Sequence, residues 1–589
     1  MFSPQYDSPG TVSRAEGKGW GAMQRATASE TPAYPWLKSY PADVDWGAEI
    51  PVKPMHLLLE EAAARFAGRI CIDFLDRRYS FAEIGRLVNR AAKGFQALGV
   101  RPGVKVGLHL PNCPYSVICY YAVLKTGGTL VNFNPLYSTR ELAHQIEDSE
   151  TDIMVTLDVA SLHDKLAPLI GASRLKRVVV CRLAEALPFP RNFLYSWVMR
   201  HEVARIPADK THLLFARLIA NDGNPSPVEI DPDRHIALLQ YTGGTTGVPK
   251  AAMLTHANLY ANTEQCARWF AGAPAGPRRI LGILPLFHVF AMTVIMNWSL
   301  HQGAEMILLP RFKLKDLLRT ITRKKPTALA GVPTLFNAIL NAPDFARYDL
   351  SSLHYCVSGG AALSHELRTR FEKAIGTKVL EGYGLSETSP VVCCNPVNPP
   401  EGVPPPPGAV GLPYPRTVIS IRAVDPPHQI LGPGETGEIC VAGPQVMAGY
   451  WKQPAETKRA LVDGLFATGD VGHMDENGYL FITDRLKDMI NASGFKIYPR
   501  NVEEVVLTHP AVLECAVVGV PDAYRGETVK AFVAIKPGQS LTAEDLTAFL
   551  ADKLSAVEMP KLIEFRASLP KTAIGKISKK DLLAEGPPA

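Results

Sequence analysis

The sequence predicts an α/β protein of several parts. A large N-terminal domain holds two α/β subdomains and a small β-barrel subdomain, and a smaller α+β domain follows. Three observations predict this. The 589 residues are too many for one hydrophobic core. Strand and helix patterns alternate as far as about residue 400, the mark of βαβ units and a largely parallel sheet. Beyond the proline-rich stretch 399–407 the pattern becomes all-β, and at residues 484–488 it changes again to mixed helix and strand.

In chain order, residues 1–35 are polar, with Glu16, Lys18 and Arg25 and no apolar core. They predict a disordered tail, neither signal peptide nor anchor. Leu57, Leu58, Leu59, Ala62, Ala63 and Phe66 give a helical pattern, and residues 83–98 an amphipathic helix. Strands are expected at 104–110, 129–134, 152–157 and 178–181, with helices at 113–125 and 141–148. Residues 187–224 interrupt the alternation with aromatics and bases (Phe193, Trp197, Arg200, Arg205). A packed surface excursion is the default reading, and a membrane-touching patch the alternative.

A strand at 236–241 leads into the glycine-rich stretch described below, and a helix begins near His256. Strands follow at 280–284, 305–309, 327–330 and 353–357, with helices at 314–324, 333–341 and 364–375 between them. Residues 280–300 are apolar and uncharged but contain Pro285, His288 and Asn297, which favours a buried strand, loop and helix over a membrane span. Strands at 418–424 and 437–442 and an Asn477-Gly478 turn build the barrel-like part at about 409–486. The last domain, 487–589, has a helix after Asn501, strands at 514–520 and 530–535, and a helix capped by Thr542 with Asp545.

The net charge of +5 is small for this length and argues against a dedicated nucleic-acid binder. Ten scattered cysteines form no C-x-x-C pair and no zinc spacing, which fits a reducing cytosol.

The stretch Thr242, Gly243, Gly244, Thr245, Thr246, Gly247 is only glycine and hydroxyl residues, and Lys250 follows it. Glycines let a backbone pass close to an anion, and amides, hydroxyls and one lysine supply donors and charge. This suits a polyphosphate. The spacing is not that of a Walker A loop, because Val248 and Pro249 separate Gly247 from Lys250 and Ala251 replaces the magnesium-binding hydroxyl. Ser358-Gly359-Gly360-Ala361 follows a strand and precedes a helix, where α/β sheets bind ligands; read alone it is an ordinary turn. Glu381-Gly382-Tyr383-Gly384-Leu385-Ser386-Glu387 is more specific. Tyr383 offers a face to a purine, Ser386 a phosphate donor, and Glu387 an oxygen ligand for Mg²⁺. Asp470 can accept two ribose hydroxyls and Arg485 can reach the same sugar or a phosphate; singly, each reads as a surface charge. Ser493-Gly494 and Gly575-Lys576 complete the candidates.

These motifs, in this order, resemble the adenylate-forming superfamily over residues 36–580, nearly the whole chain. The sequence looks most like bacterial long-chain-fatty-acid–CoA ligases, through Leu284-Pro-Leu-Phe-His288, Gly443-Pro-Gln-Val-Met447 and Asp488-Met-Ile besides the stretches above. The resemblance implies an acyl-CoA synthetase/luciferase-like fold with N-terminal domain 36–486 and a mobile C-terminal domain 487–589. It implies that residues 242–250 hold the β- and γ-phosphates, that Gly359, Gly360 and Ala361 line the adenine with Glu381, Gly382 and Gly384 nearby, and that Tyr383 stacks on it. It implies Ser386 at the α-phosphate, Glu387 on Mg²⁺, Asp470 and Arg485 on the ribose, Lys487 as hinge and Gly494 on the pantetheine path. His288 would border the acyl carboxylate and Lys576 would be the adenylation lysine. Ala251, where the family commonly has glycine, is a small departure.

The implied activity is ATP-dependent ligation of a medium- to long-chain fatty acid to coenzyme A through an acyl-adenylate. Only a short segment follows Lys576, so the reading expects a free thiol as acceptor rather than an attached carrier. No G-x-S-x-G elbow is present, which disfavours a serine hydrolase. Rival readings are a medium-chain dicarboxylate or aryl-acid ligase, a luciferase-like oxygenase, and a fatty-acid-binding partner on a retired scaffold. Against the last, Lys250, Glu387, Asp470, Arg485 and Lys576 are all present. The expected setting is the cytoplasm, with peripheral contact at the inner face of the cell membrane and a homodimer both compatible with the family.

Overall fold

The computed structural model describes residues 34–242, 249–274, 276, 278–424, 429–492, 495–522, 525–573 and 575–584. The expected N-terminal tail up to residue 33, the loop residues Gly243, Gly244, Thr245, Thr246 and Gly247, and Gly494 lie outside them.

Among the described residues four sheets carry the chain. The first has nine strands in the order Leu412–Pro413, Val391–Cys394, Lys378–Gly384, Tyr355–Ser358, Ala328–Gly331, Arg279–Gly282, Glu305–Leu308, Ile70–Phe74 and Arg77–Ser80. Its centre, from Lys378–Gly384 to Ile70–Phe74, is parallel, and its outer pairs are antiparallel. The second has eight strands: Gly449–Tyr450, Lys250–Thr255, Ile236–Thr242, Thr129–Asn132, Lys105–His109, Thr151–Leu157, Arg177–Cys181 and His212–Leu214. These are the two α/β units expected, with one redistribution. The hairpin 70–80 precedes every strand of the second sheet in sequence yet pairs with Glu305–Leu308 of the first. Alternation in sequence marks strands but not their partners, and that pairing is long-range.

The stretch expected as a barrel is a five-stranded antiparallel sheet. Leu465–Met474 pairs along its length with Gly437–Ala442, Leu461–Val462 and Leu480–Arg485, and Val418–Arg422 adds to Gly437–Ala442. The fourth sheet contains Phe495–Ile497, Ile490–Ala492, Gly526–Ile535, Val512–Asp522 and Leu562–Arg566.

Local sequence explains several element ends. Pro114 opens the helix Pro114–Lys125, where its missing N–H costs nothing. Ser138 and Glu141 form a reciprocal capping box on Thr139–Ser149. Thr542 caps Ala543–Leu550 by accepting from the Asp545 amide. Residues 279–302 form the strand Arg279–Gly282, a loop through His288, then Val289–Ala291, a π-helical turn at Met292–Asn297 and Trp298–Gln302. Among the described residues no helix is long and apolar enough to cross a membrane.

In the C-terminal sheet the period of two is plain. Cys515, Val517, Val529, Ala531 and Val533 face one core with Val502, Val506, Leu546 and Leu550. Ala516, Val518, Phe532 and Ala534 face the other, with Leu569 and Leu582. Leu569 and Leu582 therefore bracket and anchor the loop that carries Lys576.

The nine-stranded and five-stranded sheets meet where Gly411 crosses the Cys394 backbone. A Cβ there would lie 1.9 Å from the Cys394 carbonyl carbon, and its φ of +112° is one that side chains rarely adopt. Gly68 has open space around its would-be Cβ. Gly411→Ala is expected to lower the melting transition of the full chain by about 5 °C or more, while Gly68→Ala shifts it by less than about 2 °C. Differential scanning calorimetry of the two variants checks this.

Candidate active site

Parallel strands Ala328–Gly331 and Tyr355–Ser358 end level with one another, with Gly331 beside Ser358, and Ser358 lies beside Glu381 of Lys378–Gly384, which runs on past them. Their carboxyl ends open onto a cavity of about 1160 Å³, the position at which open α/β sheets bind ligands. Side chains from all four sheets or their loops reach it.

The floor is glycine. A Cβ on Gly384 would sit 2.0 Å from the Pro390 carbonyl oxygen, and one on Gly359 would press on the Phe290 ring at 3.1 Å. Gly359, Gly360, Gly382 and Gly384 all line the cavity, with the Tyr383 ring between the last two. Ala361 is exposed and does not line it. The Glu381 side chain is buried behind the floor, where it accepts the Leu363 amide at 3.0 Å and so ties the 359–363 turn to its neighbouring strand. Burial pushes its carboxyl up to about 7.

Asp470 joins three elements. Its Oδ2 accepts the Tyr383 hydroxyl at 2.6 Å, and its Oδ1 lies 3.1 Å from Arg485 Nε. Asp470 and Arg485 are also register partners on adjacent antiparallel strands. Burial and the Asp470 charge hold the Tyr383 phenol far above its ordinary range, so it stays a donor.

Ser386 and Glu387 follow in a short 3₁₀ turn, Ser386–Thr388. Burial raises the Glu387 carboxyl, against the Tyr450 hydroxyl that donates to its Oε1 at 2.9 Å. Among the described residues no three His, Cys, Asp or Glu side chains converge as a metal site. A cation at Glu387 therefore fits only if it brings phosphate oxygens and water as its other ligands, the habit of Mg²⁺.

Thr242 and Lys250 face each other as register partners in an antiparallel hairpin. The strand Lys250–Thr255 is not apparent from sequence, which places only the helix His256–Trp269 after the loop. Lys250 is ion-paired with Glu456, and its ammonium lies 5.3 Å from the centre of the Tyr450 ring.

Lys576 enters from the C-terminal domain. Thr334 Oγ1 donates to the Gly575 carbonyl at 2.8 Å, and Thr572 Oγ1 accepts the Lys576 amide at 3.2 Å. Burial, then the Arg485 and Lys487 charges, lower the Lys576 ammonium to about 8, with Asp470 and Asp488 opposing. Burial and then the Lys576 charge lower His288 to about 4, so the imidazole is neutral at pH 7. Lys487 is lowered by burial and by Arg485.

The structure thus brings Thr242, Lys250, His288, Gly359, Gly360, Gly382, Tyr383, Gly384, Ser386, Glu387, Asp470, Arg485, Lys487 and Lys576 to one cavity. Sequence reasoning missed Tyr450 and Glu456, which hold Glu387 and Lys250, and Asn132 and Gln240, joined at 3.0 Å in the cavity wall. Nothing in their sequence context separates them from surface or core residues.

The chain matches the AMP-binding enzyme family over residues 59–451 and the AMP-binding enzyme C-terminal domain over residues 501–576. It is 43% identical over 555 residues to a long-chain-fatty-acid–CoA ligase of Bacillus subtilis, covering 94% of this chain and 98% of that protein. It is 38% identical to one of Escherichia coli O157:H7, covering 93% and 98%. Among solved structures, ATP-bound MatB from Rhodopseudomonas palustris superposes with a TM-score of 0.77 at 28% identity, over 90% of this chain and 98% of that one. The anthranilate–CoA ligase AuaEII in complex with anthranoyl-AMP gives 0.78 at 26% identity, over 91% and 98%. A cavity built by four sheets in the order of these motifs, and matches spanning both halves of the sequence, lead to one conclusion: the chain belongs to the AMP-binding enzyme family.

Proposed function

We propose that this chain ligates a fatty acid to coenzyme A through an acyl-adenylate, with a medium- to long-chain acid favoured. The observation that carries the reading is the meeting of Lys576 with the Tyr383–Asp470–Arg485 cluster in one cavity. Long-chain-fatty-acid–CoA ligases are relatives along nearly the whole chain.

A carboxylate is a poor electrophile at neutral pH. In the first step its oxygen attacks the α-phosphorus of ATP, the bond to the β-phosphate bridging oxygen breaks, and pyrophosphate leaves. Two anions must approach. Lys576, Lys250 and Arg485 offset their repulsion from fixed positions, the electrostatic preorganisation that phosphoryl-type transfer needs. Mg²⁺ bound by Glu387 and phosphate oxygens would supply further charge neutralisation. Tyr383 presents its ring to the adenine while its hydroxyl holds Asp470 in place for the ribose. In the second step the thiol sulfur of coenzyme A attacks the acyl carbon, AMP leaves, and the thiol proton passes to solvent. His288, being neutral, borders the acyl group without adding a charge.

Phe270, Val294 and Val357 line both the main cavity and a small apolar space bounded by Cys266, Trp298 and Tyr355. That space is only about 20 Å³ here, so an alkyl tail enters it by displacing those side chains. A second reading, an aryl-acid ligase, is favoured by a 34% identical feruloyl-CoA synthase of Amycolatopsis. The domains are proposed to divide at Lys487, about which residues 487–589 swing to exchange Lys576 for Gly494. The proposal extends to a cytoplasmic, homodimeric enzyme in peripheral contact with a membrane.

Lys576→Ala is expected to slow acyl-adenylate formation roughly 10²–10³-fold, while thioester formation from supplied acyl-adenylate is unchanged. Single-turnover assays of the two half-reactions check this; equal loss in both sinks the two-orientation scheme. The Lys576 pKa of about 8 gives a second prediction. Anionic phosphates favour the charged ammonium, so ATP binding raises that pKa and takes up protons near pH 9 but hardly at pH 7, and affinity falls as pH rises above about 8. Calorimetry in buffers of different ionisation heat measures the uptake, which Lys576→Ala should abolish.

A further inference from the structure

The excursion 187–224 carries an apolar surface that the reaction does not use. Arg191–Val198 forms a short helix. Phe193 is 76% and Trp197 72% exposed, and they stand four residues apart on one face, next to the exposed Leu194 and Val198. Phe189, just before the helix, is 85% exposed. The opposite side is fixed. Tyr195 packs on the main core, and Arg191 is 3.1 Å from Asp76. The helix is therefore anchored on one side while its other side holds aromatic rings in water.

Cations border it. Arg191 shares a groove with Arg311, Lys313 and Arg319, and Arg311 lies close enough to Tyr195 to bias its hydroxyl. Phe312, itself exposed, sits between Arg311 and Lys313. Among the described residues Arg311, Lys313 and Arg319 form no ion pair; Asp316 is the acid on the same groove, and Asp76 is taken by Arg191, Arg323 and Lys324. Large apolar side chains left this exposed on an anchored face mark an interaction surface. Aromatic rings with adjacent unpaired cations suit the boundary between lipid headgroups and acyl chains of an anionic bilayer.

We propose that Phe189, Phe193, Trp197 and Phe312 insert into an anionic membrane while Arg311 and Lys313 contact lipid phosphates. This deepens the reading of peripheral membrane contact and does not depend on the reaction assigned to the cavity.

Flotation of the full chain with vesicles of phosphatidylcholine and phosphatidylglycerol, against phosphatidylcholine alone, tests it. The wild-type chain should float with the anionic vesicles, less so at high salt. Phe193→Ser with Trp197→Ser, and separately Arg311→Glu with Lys313→Glu, should each weaken partitioning roughly tenfold. Ligase activity on soluble octanoate without vesicles should be unchanged in both, which also shows that they fold. Vesicle binding that neither variant alters overturns the proposal. So does a wild type that ignores vesicles but loses a dimer on Phe193→Ser with Trp197→Ser, which would assign the face to a second copy of the chain. If every form lacked ligase activity while vesicle binding followed expectation, the reaction reading would fail and the membrane surface would stand.

Discussion

The Asp470 carboxylate is the contact on which the site's assembly depends. It takes the Tyr383 hydroxyl from the nine-stranded sheet and the Arg485 guanidinium from its own sheet, and it opposes the lowering of the Lys576 ammonium from the C-terminal domain. Two unit charges about 4 Å apart in a partly buried site interact by about 4 kcal/mol at an effective dielectric of 20. One carboxylate thus orients an aromatic face, fixes an arginine and favours the approach of a lysine. Without it, Arg485, Lys487 and Lys576 would be three cations repelling one another over a buried phenol.

Burial, and then the Arg485 charge, lower Lys576 and Lys487 even with Asp470 opposing. Lys250 is held by Glu456 and the Tyr450 ring, and Tyr450 in turn holds Glu387. In the proposed reaction a polyphosphate relieves this strain in charge. It favours the charged form of Lys576, competes with Glu456 for Lys250, and meets Glu387 through a shared cation. Binding of the nucleotide and completion of the electrostatic site are then one event, and the neutral His288 leaves room beside them for an uncharged acyl group.

Much of this was legible in sequence because its signals are local. Pro114 opens a helix, Thr542 caps one, and glycine pairs at 359–360 and around Tyr383 mark places where backbone lines the cavity. Partners were not legible, because pairing is set by packing far along the chain. The 70–80 hairpin joins the sheet of residues 279–394, and Gly449–Tyr450 adds to Lys250–Thr255. The same distance hides Tyr450 and Glu456, which act only through Glu387 and Lys250. Glu381 shows the converse. Its motif places it beside the ligand, yet its buried carboxylate accepts the Leu363 amide and holds the 359–363 turn.

The central claim is that the carboxylate is activated before any thiol is present. Exchange of labelled pyrophosphate into ATP, without coenzyme A, measures it directly, using acids from octanoate to oleate with dicarboxylic and aryl acids alongside. The account predicts exchange that requires the acid and is strongest for medium- to long-chain monocarboxylates. Exchange that appears only when coenzyme A is added, or that is strongest for an aryl acid, would contradict it.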